Sequence, residues 1–327
     1  MNKLVDTFGR EHTYLRISVT DRCNLRCSYC MPPEGLNWKE KSEILTYEEI
    51  IRIARVFADL GIAKIRLTGG EPLVRKDLHV LVQQLAQLNG IKTIAMTTNA
   101  VLLAQQAQAL KDAGLTALNI SLDTLQSKRF SEITKRDDFD NVMQGIHAAL
   151  TVGFAPLKLN IVVIKGFNDD ELVDIVHWAK DKPINVRFIE YMPFKDNHWQ
   201  PDGVYSYAEM REQMDKHFKL VPLEMEHGAV AKDFAIKHHI GTVSFVTSMT
   251  DSFCSSCNRL RLTADGSVKS CLFYLPEVSL RDVLRRGITD EDLALMIQSA
   301  VLMKPEAHPP MEELATVANR SMIEIGG

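Results

Sequence analysis

Short runs of β-branched and apolar residues alternate with longer amphipathic stretches over the first two thirds of the chain. The predicted strands are Tyr14–Val19, Lys64–Thr68, Thr93–Thr98, Ala117–Leu122, Leu157–Val163 and Asn185–Ile189. Such repeated β-α units are typical of α/β proteins with a parallel sheet. Six of them predict either a doubly wound sheet or a partial barrel.

The amphipathic stretches carry helix start and stop signals. Thr46 and Glu49 have the spacing of a capping box, in which each side chain satisfies a backbone donor near the other. The apolar positions from Ile50 to Phe57 keep helical spacing, and Gly61 follows as a C-terminal stop. This segment is the clearest predicted helix of the chain.

Polar residues recur at every second position of strands that otherwise look buried on both faces. They are Arg16, Ser18 and Thr20; Arg66 and Thr68; Thr97 and Asn99; Asn119, Ser121 and Asp123; and Lys158 and Asn160. Side chains two apart on a strand share a face, and parallel strands are normally hydrophobic throughout. The pattern favours a barrel with a polar lumen and a site at its C-terminal mouth over scattered hydrogen-bonded core residues.

The pattern changes after about residue 195. A loop with Pro193 and Pro201 precedes a helical stretch near Tyr207–Phe218 and β-like segments around Ile240–Thr247. We therefore predict two domains, a barrel over residues 1–222 and a smaller α+β domain over residues 223–327.

Length and charge exclude several classes of protein. The chain has 327 residues and a formal net charge of −4, which argues against a general nucleic-acid surface or a polybasic membrane surface. No apolar run reaches membrane-spanning length, so we expect a cytoplasmic protein without nucleic-acid or membrane partners. Clustered cysteines in that compartment favour metal ligands over disulfides.

All six cysteines fall into two groups of three. Cys23, Cys27 and Cys30 follow the first strand with C-x3-C-x2-C spacing, and Cys254, Cys257 and Cys271 lie near the other end of the chain. Iron–sulfur clusters and structural zinc usually take four protein ligands. The two groups therefore predict one shared site or two clusters that each keep an open coordination position, and the spacing alone also permits zinc.

The first group is followed by further recognisable residues. Tyr29 precedes the third cysteine, and Thr68-Gly69-Gly70-Glu71-Pro72 follows the second strand. This combination resembles the radical S-adenosylmethionine (SAM) superfamily. The resemblance implies a partial (β/α)6 barrel and a [4Fe–4S] cluster on Cys23, Cys27 and Cys30. The open iron of that cluster chelates SAM, and one electron cleaves SAM to a 5′-deoxyadenosyl radical.

The second group narrows the resemblance. Cys254-x2-Cys257-Asn-Arg259-Leu-Arg261, Cys271 and the terminal Gly326-Gly327 are similar to the GTP 3′,8-cyclases of molybdenum cofactor biosynthesis. In that family the C-terminal domain carries a second [4Fe–4S] cluster, whose open iron binds the purine of GTP. The radical removes hydrogen from C3′ of GTP, C3′ then bonds to C8 of guanine, and the Gly-Gly tail reaches into the active site.

The resemblance also assigns site residues. It implies SAM contacts from Gly70, Ser121 and Met192, with backbone contacts from Tyr29. It implies GTP contacts from Arg16, Arg66, Thr97, Lys158, Arg259 and Arg261, the last two acting in catalysis with the first cysteine group. Arginine suits a triphosphate independently, because the chain has no G-x4-G-K-[ST] phosphate loop. Asn99-Ala100 departs from the family's Asn-Gly, which affects the predicted loop shape.

The implied partners are an electron donor of the flavodoxin or ferredoxin type and a downstream cyclic pyranopterin monophosphate synthase, and the resemblance suggests a homodimer. Two alternatives stay open. One is another radical SAM enzyme with an auxiliary iron–sulfur cluster. The other is a zinc or iron–sulfur protein without catalysis.

Overall fold

A computed structural model describes residues 3–31, 38–195, 197, 199–225, 228–251, 253–274, 277–314 and 320–326. Its strands are β1 Tyr14–Ser18, β2 Lys64–Thr68, β3 Thr93–Thr98, β4 Ala117–Ser121, β5 Leu157–Val163, β6 Ile184–Glu190, β7 Leu220–Pro222, β8 Ala231–Ile236, β9 Thr242–Val246, β10 Arg259–Leu262, β11 Ser267–Lys269 and β12 Glu277–Ser279. The six predicted strands are confirmed, with ends that agree to within a residue.

All of these strands form a single sheet in the order β12-β11-β10-β1-β2-β3-β4-β5-β6-β9-β8-β7. The strands from β10 through β1 to β6 and β9 are parallel to one another, and antiparallel strands complete both ends. Because β12 and β7 are not paired with each other, the sheet stays open. The partial barrel is confirmed, and β9 and β10 widen its parallel part.

The α-helices are α1 Tyr47–Asp59, α2 Leu78–Ala86, α3 Leu103–Asp112, α4 Ser127–Thr134, α5 Phe139–Thr151, α6 Leu172–Ala179, α7 Tyr207–Asp215, α8 Arg281–Arg285, α9 Asp290–Leu302, α10 Met311–Leu314 and α11 Met322–Ile325. The predicted capping box opens α1, because the Thr46 hydroxyl accepts from Glu49 N while the Glu49 carboxylate accepts from Thr46 N. Gly61 ends this unit with a positive φ of 102°.

Alternation along each parallel strand separates the hydrophobic core from the barrel interior. Leu15 and Ile17 are fully buried on the outer face of β1, where the helices cover the sheet. Arg16 and Ser18 lie on the opposite face, and in register Arg16 is flanked by Arg66 of β2 and Arg261 of β10. The predicted polar lumen is therefore the inner face of the sheet.

The C-terminal third of the chain extends the same sheet at both ends. Strands β7 to β9 attach beside β6, and β10 to β12 attach beside β1. Residues on both sides of position 222 thus build one sheet, and the predicted domain boundary stays a prediction. Within the described ranges, no helix combines the length and the hydropathy that crossing a bilayer requires.

The loop after β3 contains an alanine in a conformation that usually favours glycine. Ala100 is fully buried and has a φ of 64°, which costs a residue with a Cβ about 1 to 2 kcal/mol. Gly145 of α5 packs directly against it, since a Cβ on Gly145 would lie 2.3 Å from the Ala100 carbonyl oxygen. The left-handed turn that the sequence disfavours is thus formed, and the loop packs closely against α5.

We expect Gly145→Ala to lower the free energy of unfolding by about 1 to 3 kcal/mol, because the new methyl group overlaps the Ala100 carbonyl. Chemical denaturation measures the change. Gln144→Ala, at an exposed position of the same helix, is the control and should stay within about 0.5 kcal/mol of the parent. Equal stability of the two variants would show that this contact is not tightly packed.

Candidate active site

The two cysteine groups lie at opposite ends of β1. Cys23 follows the C-terminal end of this strand, whereas Cys257 precedes β10, whose first residue Arg259 is in register with Tyr14 at the start of β1. Cys271 follows β11, which runs antiparallel to β10 and returns to the same end. The inner face of β1 therefore runs from one cysteine group to the other, with Arg16 at its centre.

The loop of the first group is bound to the segment after β2. Gly70 N donates to Thr20 O and Glu71 N donates to Arg22 O, both at 2.8 Å. A Cβ on Gly70 would lie 2.3 Å from Arg22 O, so only glycine fits this approach. The Gly-Gly-Glu-Pro segment thus supports the cysteine loop through its backbone. From the sequence alone, this segment is only a weak turn signal.

Glu71 joins the Gly-Gly-Glu-Pro segment to the end of β3 by hydrogen bonds. Its buried carboxylate accepts from Thr98 Oγ1 at 2.7 Å, from Asn99 N at 2.7 Å and from Leu73 N at 3.0 Å. Burial raises the pKa of Glu71 to about 7, although these donors oppose the shift. Asn99 continues the chain of contacts, because its side-chain nitrogen lies 3.8 Å from Cys23 Sγ.

Burial and nearby charges shift the pKa of Cys257 in the opposite direction from those of Cys23 and Cys30. Burial and the carboxylate of Glu71 raise the pKa of the Cys23 thiol to about 11, and burial with the charges of Cys23 and Asp123 raises that of Cys30. Burial alone would raise the pKa of Cys257, but Arg259 and Lys304 lower it to about 6. Both cations lie 3.4 Å from Cys257 Sγ.

The donor set suits iron–sulfur clusters. No cysteine is in a disulfide, each is partly buried, and the thiols of the first group are close enough to influence one another's pKa. In the described part of the chain, no three His, Cys, Asp or Glu side chains converge tightly enough to hold a single ion.

Cationic side chains line the inner face of the barrel between the two groups. Five of the predicted substrate residues lie there, and Lys64 and Arg187 join them. The five are Arg16, Arg66, Lys158, Arg259 and Arg261. Most are partly accessible, as expected of side chains that line a cavity. They lie along the strands, deeper than the C-terminal mouth that the sequence pattern suggested.

These cations repel one another. Burial and the charge of Arg261 hold the pKa of Arg16 well below its usual range, and burial with Arg259 lowers that of Arg261 to about 10. Arg16 Nε is buried and has no hydrogen-bond partner among the residues that the structure describes. Burial alone would raise the pKa of Tyr14, but Arg66 and Arg16 lower it to about 7. This region is therefore suited to a polyanion.

The residues predicted to contact SAM lie at the C-terminal ends of the strands. Gly70 follows β2, Ser121 ends β4 and Met192 follows β6. Tyr29 lies in the cysteine loop, and its hydroxyl donates to Asp123 Oδ2 at 2.6 Å. Thr97, a predicted GTP contact on β3, accepts from Arg66 Nη1 at 3.2 Å.

The C-terminal segment enters the same lumen. Gly326 O accepts from Arg261 Nη1 at 3.3 Å, and a Cβ on Gly326 would lie 2.7 Å from the Ser18 Cβ and 2.8 Å from Thr68 Oγ1. The expected approach of the tail is thus observed for Gly326, while Gly327 lies outside the described residues. Arg320 binds Asp265 at 2.9 Å and also Glu277, which anchors the segment.

Sequence reasoning missed three lumen residues and one cation near the second group. Tyr14, Lys64 and Arg187 each lie two residues from a polar residue on the same strand, so the period-two rule that found Arg16 and Arg66 also predicts them. Lys304 had no such signal, because it follows α9 and is far in sequence from Cys257.

Comparison with known proteins agrees with this geometry. Residues 17–179 match the Radical SAM superfamily, and residues 184–310 match the family described as Molybdenum Cofactor Synthesis C. Streptococcus suis SuiB bound to its precursor peptide has a similar fold, with a TM-score of 0.62 and 17% identity over 96% of this chain and 76% of that one. At this identity the likeness shows the fold alone. The fold and the cysteine loop define a radical SAM protein, whose cofactors are SAM and iron–sulfur clusters.

Close relatives identify the family. The chain is 51% identical over 325 residues to the mitochondrial GTP 3′,8-cyclase of Arabidopsis thaliana, which covers 99% of this chain and 83% of that protein. It belongs to the GTP 3′,8-cyclase family. The chain is also 50% identical to molybdenum cofactor biosynthesis protein 1 of Bos taurus over 98% of this chain. It spans only about half, 51%, of that relative's length.

We expect Glu71→Gln to lower the free energy of unfolding by about 1 to 3 kcal/mol. Both carboxylate oxygens accept hydrogen bonds, whereas an amide would turn an N–H group toward one of these donors. Urea denaturation of the metal-free chain measures the change. Glu132→Gln, at an exposed position of α4, is the control. A loss of stability no larger than in the control would show that the Glu71 contacts are replaceable.

Proposed function

We propose that this chain is a radical SAM lyase that converts GTP to (8S)-3′,8-cyclo-7,8-dihydroguanosine 5′-triphosphate, the first step of molybdopterin biosynthesis. The observation that carries the proposal is the cation-lined lumen between two groups of three cysteines. A radical SAM protein acting on a neutral substrate would have no need of arginines that repel one another there. A triphosphate supplies the missing counter-charge.

Each cysteine group would hold one [4Fe–4S] cluster. Cys23, Cys27 and Cys30 would hold the first cluster, and Gly70, Ser121, Met192 and the backbone of Tyr29 would hold SAM beside it. Cys254, Cys257 and Cys271 would hold the second cluster at the opposite end of β1, near the guanine. When bound, SAM and the first cluster would supply the radical chemistry that removes hydrogen from C3′ of GTP; C3′ would then bond to C8, and one further electron and a proton would complete the product.

The side chains of the chain bind and orient the nucleotide. Arg16, Arg66 and Arg261 are in register across three neighbouring strands, which suits a row of phosphate oxygens. Lys158 and Arg187 reach the lumen from β5 and β6. Arg259 lies beside Cys257, so it can bind the nucleotide next to the second cluster. Thr97 orients Arg66 through its hydroxyl. Positioning of this kind supplies a large part of the rate enhancement.

The remaining partners follow from the same reaction. It needs an electron donor, for which a flavodoxin or ferredoxin is suited, and the product would pass to a cyclic pyranopterin monophosphate synthase. We expect the protein to act in the cytoplasm and to form a homodimer.

The decisive experiment is anaerobic reconstitution with iron, sulfide, SAM and a reductant, followed by assay of 5′-deoxyadenosine with and without GTP. We expect release to depend on GTP, and Cys23→Ala to abolish it because one iron of the first cluster loses its ligand. Release that is independent of GTP would contradict the substrate assignment and favour another radical SAM reaction.

Arg16→Met separates substrate binding from stability. Removing a guanidinium that neighbouring arginines repel should raise the melting temperature of the ligand-free chain, since an apolar side chain of similar size carries no charge. The KM for GTP should rise about 10-fold to 100-fold, because a charge-assisted hydrogen bond contributes about 1.5 to 3 kcal/mol. Arg136→Met, at an exposed position, is the control. An unchanged KM would remove Arg16 from the GTP site.

A further inference from the structure

Lys304 is a buried lysine at the second cysteine group. The residue follows α9 in the chain, and only 4% of its surface is exposed. Its Nζ donates to Cys257 Sγ at 3.4 Å, to Arg259 O at 2.8 Å and to Ser270 O at 2.7 Å. The last carbonyl belongs to the residue before Cys271, so this single ammonium group joins the two segments that carry Cys257 and Cys271.

The contacts indicate a charged side chain. An ammonium group has three N–H donors and no acceptor, which matches three acceptors and leaves no donor unused. None of the three acceptors is a carboxylate. Lys269 provides the contrast, because this buried lysine donates to Glu277 at 3.0 Å and is neutralised by it. The charge of Lys304 is instead directed at a cysteine sulfur.

The N-terminal segment fixes the position of Lys304. Arg10 donates to Pro305 O at 2.6 Å and to Glu306 O at 2.7 Å, directly after Lys304 in the chain, and to Cys254 O at 2.8 Å. Asp6 holds Arg10 in turn through a 2.6 Å ion pair. One arginine thus ties the Cys254 loop and the Lys304 segment together, so Lys304 has little freedom to move away from Cys257.

We propose that Lys304 is a positioning residue that raises the reduction potential of a cluster bound by Cys254, Cys257 and Cys271. This inference rests on the proposed function, which places a cluster there. A reduced cluster carries one more negative charge than an oxidised one, so a fixed cation beside a ligand sulfur stabilises the reduced form. Net charge and hydrogen bonds to the sulfurs set such potentials. In the first group, the carboxylate of Asp123 accepts a 2.6 Å hydrogen bond from Tyr29, the residue before Cys30.

The test isolates the second cluster in the full-length chain. Substituting Cys23, Cys27 and Cys30 by Ala leaves only the C-terminal group, and redox titration followed by electron paramagnetic resonance then reports one cluster. In that background we expect Lys304→Met and Lys304→Gln to shift the one-electron reduction equilibrium at least tenfold toward the oxidised form. A tenfold shift corresponds to 59 mV for one electron. Lys304→Arg should keep the parent potential.

Lys111→Met is the matched control, because Lys111 on α3 donates to a backbone carbonyl before β5, Gly153 O at 3.0 Å. The inference would be overturned if the cluster kept the parent potential in both neutral Lys304 variants. It would also be overturned if Lys304→Met shifted the potential while Lys304→Gln kept the parent value, since Gln donates a hydrogen bond without carrying charge. The neutral variants could also lose iron. In that case, a Lys304→Arg variant that keeps both the iron and the parent potential supports the role of charge. A Lys304→Arg variant that loses iron as well contradicts it. No iron in the parent would instead refute the second cluster of the proposed function.

Discussion

Mutual repulsion among the cations of the barrel interior is the constraint on which the rest of the structure depends. Arg16, Arg66 and Arg261 are held in register by neighbouring parallel strands, so backbone hydrogen bonds keep like charges together that would separate in a flexible loop. The hydrophobic outer face of the same strands provides the opposing free energy, because Leu15 and Ile17 are fully buried under the helices. The alternation of side chains along β1 thus couples the stability of the core to a destabilising lumen.

Buried carboxylates stabilise the loops at the C-terminal edge of the sheet. Glu190, at the end of β6, accepts from Tyr207 N at 2.9 Å, Met249 N at 2.7 Å and Thr250 N at 3.0 Å. Glu71 does the same after β2, and Asp123 accepts from Val162 N at 2.8 Å. Backbone donors that no strand or helix satisfies are thereby paired, and the loops around the first cysteine group keep a defined shape.

The strands and the polar face could be predicted because both depend on a local pattern. A period of two over five to seven residues is enough to assign Arg16, Arg66 and Lys158 to one surface. The cysteine spacing predicts metal ligands in the same local way. The relative positions of the two cysteine groups could not be predicted, since they depend on the pairing of β10 with β1, which are separated by about 240 residues.

Ala100 and Lys304 show two other limits. The conformational preference of alanine argues against a left-handed turn, yet one forms at Ala100, where the backbone packs closely against Gly145. Lys304 belongs to the site only through the fold, because the segment after α9 returns to the strand that follows Cys257. Propensity scales and motif spacing describe neighbours in sequence, and they include neither of these contacts between distant segments.

The length of the short strand β1 sets the distance between the two ends of the cavity. Its five residues span roughly 13 Å at 3.3 Å per step. Insertion of one residue would lengthen β1 and would also turn every following side chain to the opposite face. Leucine and isoleucine would then point inward where arginine does now, so the length of the strand and the chemistry of its inner surface can only change together.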